Sequence, residues 1–232
     1  MMLESISKKK IYFYLLIFFF LSTVFNLNIN LIFNDLNKIK TIEISGVGEK
    51  EETQLREALK VFKNNNIFFL RKDEIIKKLS IISFIDHFSI KKVFPSRLNV
   101  FAKKTDFLGV SIIEGQRFYI GENGKLTVEA KVNKEENLPF VFGKFKVKDF
   151  IKLQETLIKE KINIKKIKNY YFHQSKRWDL EFYNGIILKL PFKNINSSLK
   201  IYNSLIDNNK ISANSIVDLR VPNNVILTNE EK

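Results

Sequence analysis

The stretch TIEISGVGEKEETQLREAL, residues 41–59, decides how the folded part of the chain is interpreted. An alternating apolar segment meets Gly46-Val47-Gly48, and an acidic, helix-prone segment follows. A dinucleotide site also begins with strand, Gly-x-Gly and helix, but its fingerprint requires a third glycine where this chain has Glu51. Glu49, Glu51 and Glu52 would repel a pyrophosphate. We therefore predict that one glycine forms a positive-φ turn and that the other lets strand and helix pack closely.

The segments around this stretch alternate between strand and helix patterns in short units. The order strand, helix, helix, strand, strand predicts a small three-stranded sheet with two helices on one face. The five predicted elements are residues 40–45, 51–62, 73–79, 84–93 and 98–103.

A second predicted unit follows, rich in strands and hairpin turns. Asn123-Gly124 and Asn184-Gly185 are strong hairpin signals between alternating apolar segments. Residues 148–161 and 199–206 have the apolar spacing of helices, and the last strand candidate is Val225–Thr228. The chain is therefore predicted to be an α+β protein whose second unit is a mainly antiparallel β domain with two helices.

The N-terminus has the pattern of a membrane anchor. Lys8-Lys9-Lys10 precedes an uncharged run, Ile11–Asn34, which would span about 35 Å as a helix. We predict a transmembrane helix at residues 11–33, and the positive-inside rule places residues 1–10 in the cytoplasm and the remainder outside. The alternative is a cleaved signal peptide, but no small-x-small cleavage site follows the apolar run.

Composition excludes several classes of site. The net charge is +14, but lysine outnumbers arginine 33 to 6, whereas phosphate and guanine recognition relies on the arginine fork. We therefore predict that the chain has no nucleic-acid partner. The chain has no cysteine, which excludes disulfides and thiolate sites. Its two histidines, His87 and His173, are far apart and have no metal-ligand spacing, so we predict neither a metal nor a cofactor.

A pair of carboxylates provides the enzymatic alternative, a membrane-anchored cell-wall hydrolase. Asp179 and Glu181 lie two residues apart on one predicted strand, and a glycosidase uses a pair of such carboxylates. Strand alternation places both opposite Trp178 and Leu180, on the solvent side of a half-buried hairpin. This pattern favours a solvated face over a catalytic site.

The last strand candidate, Val225–Thr228, would expose unpaired main-chain groups if it lay at a sheet edge. A partner that adds its own strand there would satisfy those groups and gain affinity from main-chain hydrogen bonds. The pattern equally allows the strand to pair wholly within its own sheet.

The whole layout resembles the bacterial cell-division family FtsQ, called DivIB in Gram-positive bacteria. The segment KKVFPSRLNVFAKKTDFLGV resembles the family's strand, aromatic-proline turn and strand in its POTRA domain. The segments RWDLEFYNGIILKLP and SIVDLRVPNNVILT resemble its late hairpin and terminal strand. The chain departs from the family pattern at Phe94, where many members have tryptophan, and at Lys103-Lys104-Thr105.

The resemblance implies a non-enzymatic division protein of the inner membrane at the septum. It implies a POTRA-like domain at residues 38–106 and a C-terminal β domain at residues 107–229, whose last strand binds an FtsB/FtsL-like partner. A POTRA-type chaperone or secretion accessory is the alternative that would bind unfolded client strands. The partner-binding residues that the resemblance implies are Arg220, Val221, Asn223, Asn224, Val225, Ile226, Leu227, Thr228 and Asn229.

Overall fold

The computed structural model describes residues 8–26, 36–221 and 224–229. In these residues, twelve strands form a three-stranded sheet and a nine-stranded sheet, each packed against two helices. The α+β class predicted from the sequence is confirmed.

The three-stranded sheet has the order β1-β3-β2, with β1 and β3 parallel and β2 and β3 antiparallel. The helices α2 and α3 pack on it because Leu55, Leu59, Ile75 and Leu79 repeat every four residues and are fully buried. The predicted order of strand, helix, helix, strand, strand is confirmed. The elements are β1 (Thr41–Ser45), α2 (Glu49–Leu59), α3 (Lys72–Ser80), β2 (Ile85–Val93) and β3 (Arg97–Lys104).

The two glycines of the opening stretch have different roles. Gly46 has a φ of 88°, and a Cβ there would lie 2.4 Å from the carbonyl oxygen of Ala102 on β3. Gly48 is the N-cap of α2, and a Cβ there would lie 2.2 Å from Nδ2 of Asn133. The prediction of a positive-φ turn is confirmed for Gly46. The close contact at Gly48 is with the second unit, and not between strand and helix as predicted.

The nine-stranded sheet has the order β12-β11-β10-β9-β8-β7-β4-β5-β6. The pairs β4/β7, β7/β8 and β10/β11 are parallel, so the sheet is more mixed than the mainly antiparallel prediction. The strands are β4 (Phe107–Ile113), β5 (Gln116–Gly121), β6 (Leu126–Val128), β7 (Phe140–Phe142), β8 (Ile167–Phe172), β9 (Trp178–Phe182), β10 (Ile187–Lys189), β11 (Ser215–Asp218) and β12 (Ile226–Asn229).

Two of the parallel pairs arise from helical crossovers. The helix α4 (Val147–Lys159) connects β7 to β8, and α5 (Ile195–Asp207) connects β10 to β11. A helix between neighbouring strands returns the chain to the same end of the sheet, so the two strands run parallel. Both hairpins predicted at Asn-Gly turns are present, as β5/β6 and β9/β10.

One face of the nine-stranded sheet packs against α4 and α5. Leu180, Leu188 and Val217 form a row across β9, β10 and β11, and all three are fully buried. They share one apolar cluster with Leu157 on α4 and Leu199 on α5. Because side chains alternate along a strand, Asp179, Lys189 and Asp218 form the neighbouring row on the opposite face.

The β6 edge of the large sheet lies against the three-stranded sheet and its two helices. These elements occupy the predicted POTRA-like domain, residues 38–106, and are called the POTRA-like unit below. The Asn123 amide donates to the carbonyl oxygens of Ser83 (2.9 Å) and Ile85 (3.0 Å). Thr127 on β6 is fully buried, and its hydroxyl donates to Oγ of Ser83 at 3.0 Å. This edge of the sheet is therefore covered within the chain.

A carboxylate completes this contact. Glu51 on α2 is fully buried and accepts hydrogen bonds from the main-chain N–H and the Nδ2 of Asn133, both at 2.9 Å. Gln54 also donates to the carbonyl oxygen of Lys131. The acidic first turn of α2, which argued against a phosphate, thus supplies a carboxylate that binds the second unit.

The helix α1 (Lys8–Asn26) covers the first part of the predicted anchor. The remaining residues of that prediction, 27–33, lie outside the described residues. Within the described part of the chain, no helix combines the length and the apolar character needed to cross a bilayer.

Candidate partner-binding site

The candidate site is β12, the terminal strand of the nine-stranded sheet. It pairs antiparallel with β11 through the register Asp218↔Ile226, Val217↔Leu227 and Ile216↔Thr228. One side of β12 is therefore occupied by its own sheet, and the other is the end of the strand order. Of the two arrangements that the sequence allowed, the strand pairs within its sheet and also forms its edge.

The side chains of the edge strand are apolar and exposed. Ile226 is 54% exposed, and Val225 and Leu227 are also more than one-third exposed. Asn224 and Thr228 are exposed as well, whereas Asn223 lies outside the described residues. An exposed apolar edge strand is a site for pairing with another strand.

The hydrogen bonds of β11 fix which main-chain groups of β12 face outward. The N–H of Leu219 donates to the carbonyl oxygen of Lys189 on β10 at 3.0 Å. Successive residues of a strand direct their main-chain N–H and C=O groups to alternate sides. The main-chain groups of Asp218 therefore point toward β12, where Asp218 pairs with Ile226. Leu227, one residue further along β12, then directs its N–H and C=O away from the sheet. Asn229, two residues beyond Leu227 on the same strand, has the same direction.

Arg220 lies between β11 and β12 and forms hydrogen bonds with Asp218. Its Nε donates to both carboxylate oxygens of Asp218 at 2.8 Å, and its main-chain N–H donates to Oδ1 at 3.0 Å. The side-chain hydrogen bond from Arg220 lowers the pKa of Asp218, and the same bond raises the pKa of Arg220. Arg220 thus holds the end of β11 in this structure, next to the exposed Val221.

The carboxylates of the hydrolase alternative are differently placed from the prediction. Asp179 is buried rather than solvated, and its Oδ2 lies 2.9 Å from Nε2 of His173. Nε of Arg177 lies 3.7 Å from the other carboxylate oxygen. Asp179 is buried because these cationic or hydrogen-bonding side chains cover that face of the sheet, which strand alternation alone did not reveal.

Glu181 is held as an anion. It accepts hydrogen bonds from Asn169 (2.8 Å), Tyr171 (2.7 Å) and Lys168 (2.9 Å). These bonds, that of Asn169 first, lower the pKa of Glu181 to about 2. A carboxylate with such a pKa does not act as a general acid near neutral pH, since it carries no proton to give. The described residues also contain no group of three His, Asp or Glu side chains that could hold a metal ion.

Two features of the candidate site were missed by sequence reasoning. The pairing of Asp218 with Arg220 follows from their i, i+2 spacing in VDLR, which places both side chains on one face of the strand. That signal was present in the sequence. The outward direction of Leu227 was not, because it depends on the hydrogen-bond register of the neighbouring strand.

Comparison with known proteins follows the same two units. Residues 37–102 match the family described as POTRA domain, FtsQ-type. Residues 112–220 match the family described as Cell division protein FtsQ/DivIB, C-terminal. The second match ends at Arg220, so β12 lies beyond it.

Curated relatives share low identity over much of the chain. The chain is 20% identical over 185 residues to Cell division protein FtsQ of Rhizobium meliloti (strain 1021), a match that covers 79% of this chain and 60% of that protein. It is 27% identical over 174 residues to Cell division protein FtsQ of Rickettsia bellii (strain RML369-C), with 75% and 65% covered. The chain thus spans less than two thirds of the length of these relatives.

A solved structure also matches, that of the major extracytoplasmic domain of the cell division protein DivIB from Geobacillus stearothermophilus. The identity is 10% and the TM-score is 0.34, with 47% of this chain and 99% of that chain covered. The two family matches lie one after the other, in the order of the two folded units. The chain belongs to the FtsQ/DivIB family of bacterial cell-division proteins.

Proposed function

We propose that this chain is a non-enzymatic assembly protein of the bacterial divisome, which binds an FtsB/FtsL-like partner by strand addition to β12. Family membership supports the role in division. The open, apolar edge of β12 supports the mode of binding, and it is the single observation that carries the proposal.

Strand addition uses both the main chain and the side chains of the edge. Leu227 and Asn229 present N–H and C=O groups two residues apart, the repeat with which an antiparallel strand forms its bonds. Ile226 and Thr228 project from one face of the sheet and Leu227 from the other, so the partner's alternate side chains meet different surfaces. Main-chain bonds supply affinity in this mode, and the side chains supply specificity.

The remaining candidates extend the edge strand toward β11. Val221 and Asn224 are exposed at the two ends of the β11–β12 connection, and Asn223 belongs to the same connection in the sequence. Arg220 contributes indirectly, because it binds Asp218 at the end of β11, where the connection begins. Val221, Asn223, Asn224 and Asn229 complete the proposed surface.

The proposed location is the inner membrane at the division septum. The uncharged run at residues 11–33 would serve as the anchor, with residues 1–10 in the cytoplasm and the two folded units in the periplasm. Support for this location comes from the sequence pattern and from the charge asymmetry across the run. A tagged copy is expected at midcell in dividing cells, and uniform envelope fluorescence would contradict the proposal.

Deletion of residues 221–232 tests the binding site. The truncated chain is expected to lose capture of a purified FtsB/FtsL-like partner while the transition of its thermal unfolding remains cooperative. The matched control deletes only residues 230–232, which leaves β12 intact, and should capture the partner as the full chain does. Equal capture by the 221–232 deletion and the full chain would show that the partner binds elsewhere.

A further inference from the structure

Three phenylalanine side chains are exposed together at one end of the three-stranded sheet. Phe69 is 82% exposed, and Phe68 and Phe94 are each more than half exposed. The rings of Phe68 and Phe94 stack with centroids 4.7 Å apart. We name Phe68, Phe69 and Phe94 the phenylalanine cluster. Adjoining exposed aromatic side chains on a small domain mark a contact surface more often than chance exposure.

The local fold holds the cluster outward. Ile67 and Leu70 are buried in the core, so the two residues between them project from the surface. The N–H of Phe68 donates to Oδ1 of Asn66 at 2.9 Å, which fixes the turn that presents them. Exposure of the cluster is therefore a property of the folded domain.

The cluster lies where the chain enters the folded unit. The N–H of Ile67, next to Phe68, donates to the carbonyl oxygen of Asn37 at 2.8 Å. The N–H of Lys40 donates to the carbonyl oxygen of Ser96 at 2.8 Å, two residues after Phe94. Residues 37–40 thus run between the two segments that carry the cluster.

This position sets the distance to the proposed membrane anchor, on which the following inference rests. The predicted span ends at residue 33, and the folded chain is hydrogen-bonded from Asn37 onward. Four residues extend at most about 14 Å. An anchored chain therefore holds Asn37, which accepts a hydrogen bond from Ile67 beside the cluster, within about 14 Å of the end of the span.

We infer that the phenylalanine cluster inserts into the headgroup region of the bilayer and holds the POTRA-like unit on the membrane surface. Phenylalanine is among the residues that interfacial segments bury at the boundary between headgroups and acyl chains. Exposed lysines on the same segments, Lys40, Lys63 and Lys72, suit the anionic headgroups of such a surface. The cluster itself lies on a loop and a turn, so its exposed surface consists of side chains and not of a strand edge.

The absence of cysteine from the chain allows a site-specific test. Phe69→Cys in the full chain carries an environment-sensitive fluorophore, and the protein is reconstituted into vesicles that contain anionic lipid. Lipids with a quenching group near the headgroup report contact with the bilayer. Ile81→Cys is the matched control, because Ile81 is 79% exposed and lies at the opposite end of α3 from the cluster.

The label at residue 69 should be quenched at least roughly twofold more than the label at residue 81, because only the former reaches the bilayer boundary. Adding Phe68→Ser and Phe94→Ser to the Phe69→Cys chain should reduce that quenching. Extraction of the vesicles with alkaline carbonate tests the anchor separately, because it releases chains that do not span the bilayer. Equal quenching of the two labels in a chain that carbonate does not release would overturn the inference, but it would not contradict the proposed anchor or the proposed partner site. Release of the chain by carbonate would overturn the anchor as well.

Discussion

The two edges of the nine-stranded sheet differ in what covers them. At β6 the edge is sealed within the chain, where Thr127 is fully buried and bonds Ser83 of the POTRA-like unit. At β12 the edge is open, and Ile226 and Leu227 are exposed. An open edge favours association with another strand, and a covered edge does not.

The difference suggests why the POTRA-like unit and the edge strand belong to one protein. The first unit covers one edge, because Ser83 bonds Asn123 and Thr127 and Glu51 bonds Asn133. Of the two edges of the nine-stranded sheet in the described residues, β12 is then the one open to strand addition. Variants that open the covered edge or close the open one test this view.

The largest expected effect is a loss of folding stability when a contact at the covered edge is removed. Glu51→Ala removes the carboxylate that accepts two hydrogen bonds from Asn133, and at about 1.5 kcal/mol for each bond to a charged group this should lower the free energy of unfolding by about 3 kcal/mol. Urea denaturation measures this. Glu49→Ala is the control, since Glu49 is an exposed glutamate in the same first turn of α2 and should cost under about 0.5 kcal/mol. Similar losses for the two variants would show that the covered edge is not held by Glu51.

A substitution on the open edge strand β12 should change the affinity for the partner and not the free energy of unfolding. Leu227→Pro removes an N–H that faces away from the sheet, so the β11–β12 bonds remain while the partner loses a bond and meets the proline ring. Affinity should fall by about 2 kcal/mol, roughly 30-fold. Leu227→Ala is the control for the side chain, because it keeps the N–H. Titration calorimetry with the purified partner distinguishes them, and equal affinity for the two variants would contradict main-chain pairing.

The acid dependence of stability that arises in the middle of the nine-stranded sheet, at Glu181, should not depend on the open edge strand β12. The folded state lowers the pKa of Glu181 from 4.5 to about 2, so the ionised carboxylate stabilises the fold above pH 4.5 and that contribution is lost as the pH falls toward 2. At pH 3 the loss relative to pH 6 should be about 2 kcal/mol from this group. Urea denaturation at the two pH values measures it.

Glu181→Gln should lack this contribution to the acid dependence. The full chain and the chain without residues 221–232 should both show it, because the donors Asn169, Tyr171 and Lys168 lie on β8. A loss in the full chain alone would mean that the open edge stabilises the middle strands.

The smallest effects compare one substitution at the two edges. Thr127→Val on β6 removes a buried hydroxyl that bonds Ser83 and should cost about 1 kcal/mol of unfolding free energy. Thr228→Val on β12 changes an exposed side chain and should stay within about 0.5 kcal/mol. Thermal unfolding of the two variants provides the measurement. A larger loss at Thr228 would reverse the assignment of covered and open edges.

Local pattern was sufficient for most elements of the fold. The Asn-Gly turns specified the hairpins β5/β6 and β9/β10, and the four-residue apolar repeat specified α2 and α3. β7, which has only three residues, was not predicted because so short a strand has no recognisable period. The parallel pairing of β10 with β11 was missed because it depends on where α5 returns the chain.

The candidate site was predicted less completely than the fold. The sequence placed an apolar strand at Val225–Thr228, and the assignment of these residues to partner binding remains a prediction. The burial of Asp179 beside His173 and the binding of Glu51 by Asn133 were not predicted. Both involve residues brought together from separate elements, which alternation and helical spacing do not encode.

The sequence by itself determined the family, the α+β class and the order of the elements, because turn residues and apolar periodicity act over a few neighbouring positions. The tertiary structure decided which sheet edge is closed and which is open. That choice depends on contacts between residues as far apart as Glu51 and Asn133 on one side, and on the hydrogen-bond register that turns the N–H of Leu227 outward on the other.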